Sequence, residues 1–171
     1  MKRLLPLIML ALLAGCTTPP KGIEAVKGFE LERYLGKWYE IARLDHGFER
    51  GLTRVTAEYT PRDDGGINVI NRGYDAESGE WKEADGKAYF VEGPDTGQLK
   101  VSFFGPFYGG YTIVDLDQEN YQYALVSGPT RDYLWILARN PDISVMIIDK
   151  LVARADELGF ATEDLIYLYK N

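Results

Sequence analysis

Residues 36–43 read GKWYEIAR, a run of aromatic and branched side chains that begins at a glycine. Residues of this kind are enriched in β-strands, so the run predicts the first strand of a sheet. Side chains alternate between the two faces of a strand. With Trp38 pointing inward, Glu40 and Ala42 are expected to point inward and Ile41 to point outward.

Seven stretches downstream alternate apolar and polar residues in the same way. They cover residues 54–60, 67–74, 82–91, 98–104, 110–116, 121–127 and 132–139. Turn-forming segments separate them; residues 63–66, for example, read DDGG, and Asp and Gly tolerate the positive φ angles of tight turns. Eight strands joined mostly by short hairpins predict an all-β fold, either an up-and-down antiparallel barrel or a sandwich. The longer connection over residues 44–53 can fold across one end.

The spacing of apolar residues changes between Ser144 and Leu158. Ile147, Leu151 and Ala155 recur on one helical face together with Leu158, while charged residues fall elsewhere. A single apolar face predicts a helix that packs on the outside of the sheet. The segment 165–169 then returns as a short ninth strand.

Length and charge limit the possible functions. The chain has 171 residues, enough for one domain, and a net charge of −7 that argues against nucleic acid as a partner. It contains one His and one Cys, so we expect neither a disulfide within the chain nor a His/Cys metal cluster.

The motifs of common enzymes are missing from the sequence. None of the four serines, at positions 78, 102, 127 and 144, lies in G-x-S-x-G, and no nucleotide-binding glycine loop is present. His46 lies in a loop without a matched catalytic partner, and an interior Glu40 is expected to bond its neighbours rather than act as a base. We therefore expect no catalytic residues and no cofactor.

The first sixteen residues resemble a bacterial lipoprotein leader. Lys2 and Arg3 precede an apolar run that ends in LAGC at residues 13–16, which is similar to the lipobox. The resemblance implies cleavage before Cys16, a diacylglycerol on its thiol and an acyl group on its new amine. Thr17, where Asp would signal retention, implies sorting to the outer membrane. The alternative is an ordinary secretory signal with a chance Cys.

Three short motifs resemble those of lipocalins. Gly36 and Trp38 match G-x-W, residues 117–121 resemble the second motif, and Arg139 resembles the third. With the lipobox, the chain is similar to the bacterial outer-membrane lipoprotein lipocalins, the Blc family. This implies an eight-stranded barrel with an outer helix, divided into a signal peptide (1–15), a lipidated Cys with its tether (16–27) and a lipocalin domain (28–171).

In an antiparallel barrel the motif residues must meet at one end. Trp38 begins the first strand, Asp117 follows the sixth and Arg139 closes the eighth, so all three lie at the same end with Gly36. A cation over an indole face stabilises by about 0.5–2 kcal/mol. We expect these residues to close that end as structural rather than catalytic groups.

Alternation along the other strands predicts an inner wall that is apolar, with small residues among large aromatics. Ala57, Ala88 and Ala124 leave room, which favours a ligand cavity over a filled core. Arg139 is the only deep inward cation that the pattern predicts, so an anionic head group belongs at the open end, toward Lys82 and Arg131. The predicted ligand-binding residues are Ala57, Tyr59, Val69, Asn71, Ala88, Phe90, Val101, Phe103, Tyr111, Ile113, Val126, Tyr133 and Trp135.

Apolar residues are also concentrated in the connections at the open end. Phe48, Leu52, Phe104, Phe107 and Tyr108 indicate either a greasy rim or local packing within the loops.

The family resemblance implies a lipid-binding protein of the bacterial envelope. The expected ligand is a fatty acid or lysophospholipid, and the expected location is the periplasmic face of the outer membrane, reached through the lipid anchor. The alternatives are an envelope scaffold or interaction lipoprotein with a largely filled barrel and, more remotely, a lipid-processing enzyme. The sequence leaves the oligomeric state open.

Overall fold

The computed structural model describes residues 17–169. The predicted leader and Cys16 lie outside these residues. Eight antiparallel strands follow one another around a closed barrel, in which β1 pairs with both β2 and β8. The barrel strands are β1 (Gly36–Arg43), β2 (Leu52–Pro61), β3 (Ile67–Asp75), β4 (Glu80–Phe90), β5 (Gln98–Phe104), β6 (Phe107–Leu116), β7 (Tyr123–Ser127) and β8 (Leu134–Ala138). The barrel is confirmed and the sandwich alternative is excluded.

The two ends of the barrel differ. The connections β1–β2, β3–β4, β5–β6 and β7–β8 lie at one end, which we call the open end. The opposite, closed end is covered by the chain before β1, including the short helix α1 (Leu31–Tyr34). Helix α1 was not expected, because four residues carry no recognisable apolar period.

The expected outer helix is present. Helix α2 (Val145–Glu157) begins after Ser144, whose side chain accepts a hydrogen bond from the Met146 N–H. After α2, Gly159 adopts a φ of +82°, the left-handed conformation that ends many helices. Strand β9 (Ile166–Tyr167), after a 3₁₀ turn (Thr162–Asp164), pairs with β1 outside the barrel. No helix in the described residues is long and apolar enough to cross a membrane.

Apolar side chains form two separate clusters. The outer cluster joins α2 to the barrel through Leu151 and Ala155 against Ile41 and Ile136. The inner cluster lies inside the barrel. Its buried members are Phe29, Tyr34, Trp38, Tyr59, Ile67, Val69, Ala88, Leu99, Ile113, Leu116, Tyr121, Ala124, Val126 and Leu137.

Chain docked on the barrel begins before residue 28. Ile23 is buried in the outer cluster, and the Val26 N–H donates to the Ile113 carbonyl oxygen at 2.9 Å. Farther back, the Lys21 carbonyl oxygen accepts a 2.8 Å hydrogen bond from Arg131 in the β7–β8 connection. The segment assigned to a tether is therefore partly docked, and Lys21 lies at the open end.

A register shift in β1 reverses the expected direction of two side chains. The β1–β8 pairing shifts between Glu40 and Ala42, which places one extra residue in β1. Ala42 consequently joins Ile41 in the outer cluster, and Arg43 points inward opposite Trp135. The prediction that Ala42 faces inward was wrong, because strict alternation fails at a β-bulge.

Candidate ligand-binding site

The closed end of the barrel is formed around Trp38 and Arg139. Trp38 is fully buried, its indole N–H donates to the Tyr34 carbonyl oxygen at 2.8 Å, and the Arg139 Cζ lies 4.0 Å from its ring centroid. The Arg139 guanidinium also donates to the carbonyl oxygens of Lys37, Arg33, Leu35 and Tyr121. The Arg139 guanidinium is therefore fully engaged with the barrel wall and with the chain that covers the closed end.

Gly36 and Asp117 lie at the same end. Gly36 has a φ of +93°, and a Cβ at this position would lie 3.5 Å from an Arg139 nitrogen. The Asp117 carboxylate accepts from the backbone N–H groups of Asn120 and Gln122, which closes the β6–β7 turn. The predicted closed-end residues are thus brought together, and their role there is structural organisation of the end.

Three tyrosine hydroxyl groups meet above this floor. The Tyr111 hydroxyl lies 2.7 Å from that of Tyr34 and 3.0 Å from that of Tyr59. Burial raises the pKa of each phenol above its ordinary value, so the group stays neutral at physiological pH. Tyr34 was not predicted, because the chain before β1 carries no strand pattern from which its direction could be read.

Most of the predicted ligand-binding residues line the barrel interior. Ten of the thirteen belong to the inner cluster or pack against it. They are Ala57, Tyr59, Val69, Ala88, Phe90, Val101, Tyr111, Ile113, Val126 and Trp135.

The other three lie nearer the open end. Asn71 is paired with Ala57 across β2, and its Oδ1 is buried without a partner among the described residues. The Phe103 ring packs directly on Gly86, because a Cβ added at Gly86 would lie 2.8 Å from the ring. Tyr133 precedes β8, with its ring centroid 5.3 Å from that of His46.

Solvent exposure along one inner row shows where the interior opens. Trp38, Ala57, Asn71 and Ala84 are successive register partners across β1 to β4 and therefore share the inner face. Trp38 is fully buried, Ala57 and Asn71 are half-buried, and Ala84 is exposed. Residues 80–85 are exposed on both faces of β4, and β4 pairs with β5 only from Lys87 onward, so this end of the β3–β4 hairpin extends past β5. The inner row is therefore buried at Trp38 and uncovered at Ala84, on the open-end side.

A second inward cation was not predicted. Arg43 is 2% exposed, and it donates to Glu40 at 3.0 Å and to the carbonyl oxygens of Glu49 and Leu52. The expectation that Arg139 is the only deep cation was wrong for the same reason as at Ala42, because the bulge turns Arg43 inward. Burial and the nearby Glu49 charge raise the Glu40 pKa well above its ordinary value, although Arg43 opposes this shift.

The β1–β2 connection covers part of the open end through a polar cluster. The Glu49 carboxylate accepts from the Trp135 indole at 3.1 Å and lies 2.9 Å from His46 Nε2. Burial opposes ionisation of Glu49, yet these two partners hold its pKa below the ordinary value. His46, unmatched in the sequence, is thus a buried partner of Glu49.

The two cations expected to meet an anionic head group are both engaged elsewhere. Lys82 is bound to Asp75, and Arg131 donates to the Leu158 and Lys21 carbonyl oxygens. Lys82 remains exposed at the open end, whereas Arg131 holds the end of α2 and the N-terminal segment in place.

Other candidate sites in the described residues are modest. No group of three or more His, Cys, Asp or Glu side chains among residues 17–169 is arranged to hold a metal ion. A cavity of about 430 Å³ lies outside the barrel, between the start of α2 and the β1–β9 edge. A second, of about 390 Å³, is lined mainly by outward-facing residues of β2 to β5, including Asn68 and Lys87.

Comparison with known proteins agrees with this architecture. The family profile of the Lipocalin-like domain matches residues 29–170. The chain is 57% identical to the outer membrane lipoprotein Blc of Vibrio cholerae, with 100% of both chains covered. It is 54% identical to Blc of Escherichia coli K12, with 97% of each covered.

Solved structures with low sequence identity to this chain share its fold. Insecticyanin from the tobacco hornworm Manduca sexta superposes with a TM-score of 0.71 at 19% identity, covering 91% of this chain and 87% of its own. At this identity the likeness concerns the fold alone. Taken with the family profile and the two bacterial relatives, the chain belongs to the lipocalin family, within the group of bacterial outer membrane lipoproteins.

Proposed function

We propose that the chain binds one fatty acid or lysophospholipid molecule, with the acyl chain inside the barrel, and stores or carries it at the outer membrane. The observation that supports this proposal is the inner row from Trp38 to Ala84, which is buried at the closed end and exposed at the open end. Lipocalin membership supports a hydrophobic ligand as the general class.

The charges inside the barrel favour a position for the head group at the mouth. Arg139 already stacks on Trp38 and donates to four carbonyl oxygens. Arg43 already donates to Glu40 and to two carbonyl oxygens. The tyrosine hydroxyl cluster offers no charge. An ionised head group buried without a partner would cost several kcal/mol, so it belongs near water at the open end.

The wall chemistry favours an acyl chain as the buried part. Val69, Val101 and Ile113 would supply apolar contact to an acyl chain, and Ala57 and Ala88 are small side chains in the same cluster. Each buried methylene contributes about 0.8 kcal/mol, so chain length rather than charge supplies most of the affinity.

Native mass spectrometry tests the stoichiometry. Protein beginning at Thr17 is unfolded, stripped of lipid, refolded and mixed with palmitate or lysophosphatidylethanolamine. We expect one bound lipid per chain, and competition between the two ligands. Absence of any retained lipid would instead favour the alternative of an envelope scaffold with a largely filled barrel.

Family membership locates the chain at the outer membrane as a lipoprotein, and we propose that Cys16 is the lipidated residue and that the domain occupies the periplasmic face. Cells grown with a radioactive fatty acid should label the wild-type protein and leave Cys16→Ala unlabelled. Equal labelling of both proteins would contradict the assignment of Cys16.

A further inference from the structure

The most exposed aromatic side chains among the described residues surround the open end. Phe48 is 73% exposed, Phe104 and Phe107 are each 71% exposed, and Trp81 is 59% exposed. They belong to the β1–β2 connection, the facing ends of β5 and β6, and the start of β4. Three of the four open-end connections therefore carry an exposed aromatic group, and we call these four residues the aromatic rim.

Two ion pairs lie beside the aromatic rim. Asp45 and Arg50, on either side of Phe48, form an ion pair at 2.8 Å. Asp75 and Lys82, next to Trp81, form another. The rim therefore presents apolar rings beside these ion pairs, with the exposed carboxylates of Glu77 and Glu80 in the same hairpin as Trp81. Aromatic residues are common in such positions at a membrane–water interface.

The fourth open-end connection holds the chain that leads to Cys16. Arg131 in the β7–β8 connection binds the Lys21 carbonyl oxygen at 2.8 Å. Four residues separate Lys21 from Cys16, so the two lie at most about 18 Å apart when the chain is fully extended. A lipid on Cys16 would thus keep the open end, rather than the closed end, close to the bilayer.

We propose that the open end of the barrel rests on the membrane surface, with the aromatic rim in the lipid interface. The anchored connection and Trp81 lie on opposite sides of the mouth, because β3 and β4 are across the barrel from β7 and β8. Phe48, Phe104 and Phe107 lie at the two connections between them. The mouth then faces lipid directly. The proposal depends on lipidation at Cys16 and is independent of what the barrel carries.

Fluorescence of Trp81 tests this orientation. Mature, lipidated protein is placed in vesicles of phosphatidylethanolamine with a minority of phosphatidylglycerol, some of whose acyl chains carry bromine. Bromine quenches only nearby indoles, and the signal of the Trp81→Phe protein supplies the background from Trp38 and Trp135. We expect Trp81 to be quenched, and the quenching to be insensitive to added salt because the contact is apolar.

Two matched variants decide whether the aromatic rim is responsible. The combined change Phe48→Ser, Phe104→Ser and Phe107→Ser should reduce quenching to background, whereas Val145→Ser with Met146→Ser, at exposed positions beginning α2, should leave it unchanged. An unquenched Trp81 in the wild-type protein, or quenching that survives the triple change, would overturn the proposal. A third result would also overturn the proposal: Trp81 is unquenched in every protein, and the wild-type chain self-associates whereas the triple variant does not. The aromatic rim would then contact a second copy of the chain and not the membrane.

Discussion

At the scale of single residues, the planar guanidinium of Arg139 makes two kinds of contact at once. Its face lies on the Trp38 ring, and its N–H groups donate to carbonyl oxygens from the chain around α1, the start of β1 and the β6–β7 turn. A lysine could not reproduce this arrangement, because it has no planar fork of donors. The pair therefore ties three separate segments into the closed end.

Truncating Trp38 should destabilise the whole domain. Trp38→Ala leaves a cavity beneath Arg139, and we expect a loss of about 3–5 kcal/mol in the free energy of unfolding. Chemical denaturation followed by circular dichroism measures it. The exposed neighbour Lys37→Ala should stay within about 0.5 kcal/mol of the wild-type protein. An unchanged unfolding curve for Trp38→Ala would show that this ring does not support the closed end.

The sequence predicted these residues better than it predicted the mouth. Trp38 and Arg139 lie at strand ends, so antiparallel topology alone brings them together. Arg43 was missed because Ile41 and Ala42 are both apolar, and the alternation therefore gave no sign of an extra residue. A greasy rim and local packing were the two interpretations of the open-end connections. The exposure of Phe48, Phe104 and Phe107 supports the rim, whereas Leu52 and Tyr108 are half-buried and pack locally.

At the scale of elements, the bulge in β1 links the barrel wall to its mouth. By turning Arg43 inward, it provides donors for the Glu49 and Leu52 carbonyl oxygens and so holds the β1–β2 connection. Glu40 is the carboxyl partner of Arg43 inside the wall. Glu49 lies close enough to influence the titration of Glu40, with His46 beyond it.

Replacing Glu40 should change how stability depends on pH. Its folded pKa lies above the ordinary value of 4.5 because of burial. The unfolded chain therefore releases this proton first, and its contribution to stability is lost as pH rises from about 4.5 toward the folded pKa. Glu40→Gln cannot ionise, so its stability relative to the wild-type protein should increase with pH.

Unfolding free energies at several pH values between acid and neutral conditions measure this effect. Glu80→Gln, at an exposed position that begins β4, serves as the control and should follow the wild-type curve. Parallel curves for the wild-type and Glu40→Gln proteins would mean that Glu40 does not titrate differently in the folded state.

Element boundaries differed from those expected mainly at the open end. Strands β2, β4 and β6 begin at Leu52, Glu80 and Phe107, two or three residues before the predicted starts. These first residues extend beyond the apolar core. Backbone pairing continues there, but apolar and polar side chains no longer alternate, because neither face of the strand is buried. The core-facing parts of the strands were predicted because burial imposes the alternation there.

At the scale of the whole molecule, the order of the strands puts the closed end and the open end on opposite sides of the barrel. Each odd-numbered strand from β1 to β7 ends at the open end and each even-numbered one at the closed end, so motif residues collect at one end and the long first connection at the other. The outer helix covers one side without entering the barrel. The helix therefore takes up no space inside the barrel, where we propose that the ligand binds.

Titration with saturated fatty acids that lengthen by two methylenes at a time, followed through Trp135 fluorescence, tests the central claim of an acyl chain inside the barrel. Affinity should rise about tenfold per step until the cavity is full. Ala84→Phe, on the inner row, should weaken long chains more than short ones, while the outward-facing control Asp85→Phe should bind like the wild-type protein. Affinity that does not depend on chain length, or equal weakening of all lengths by Ala84→Phe, would contradict the account.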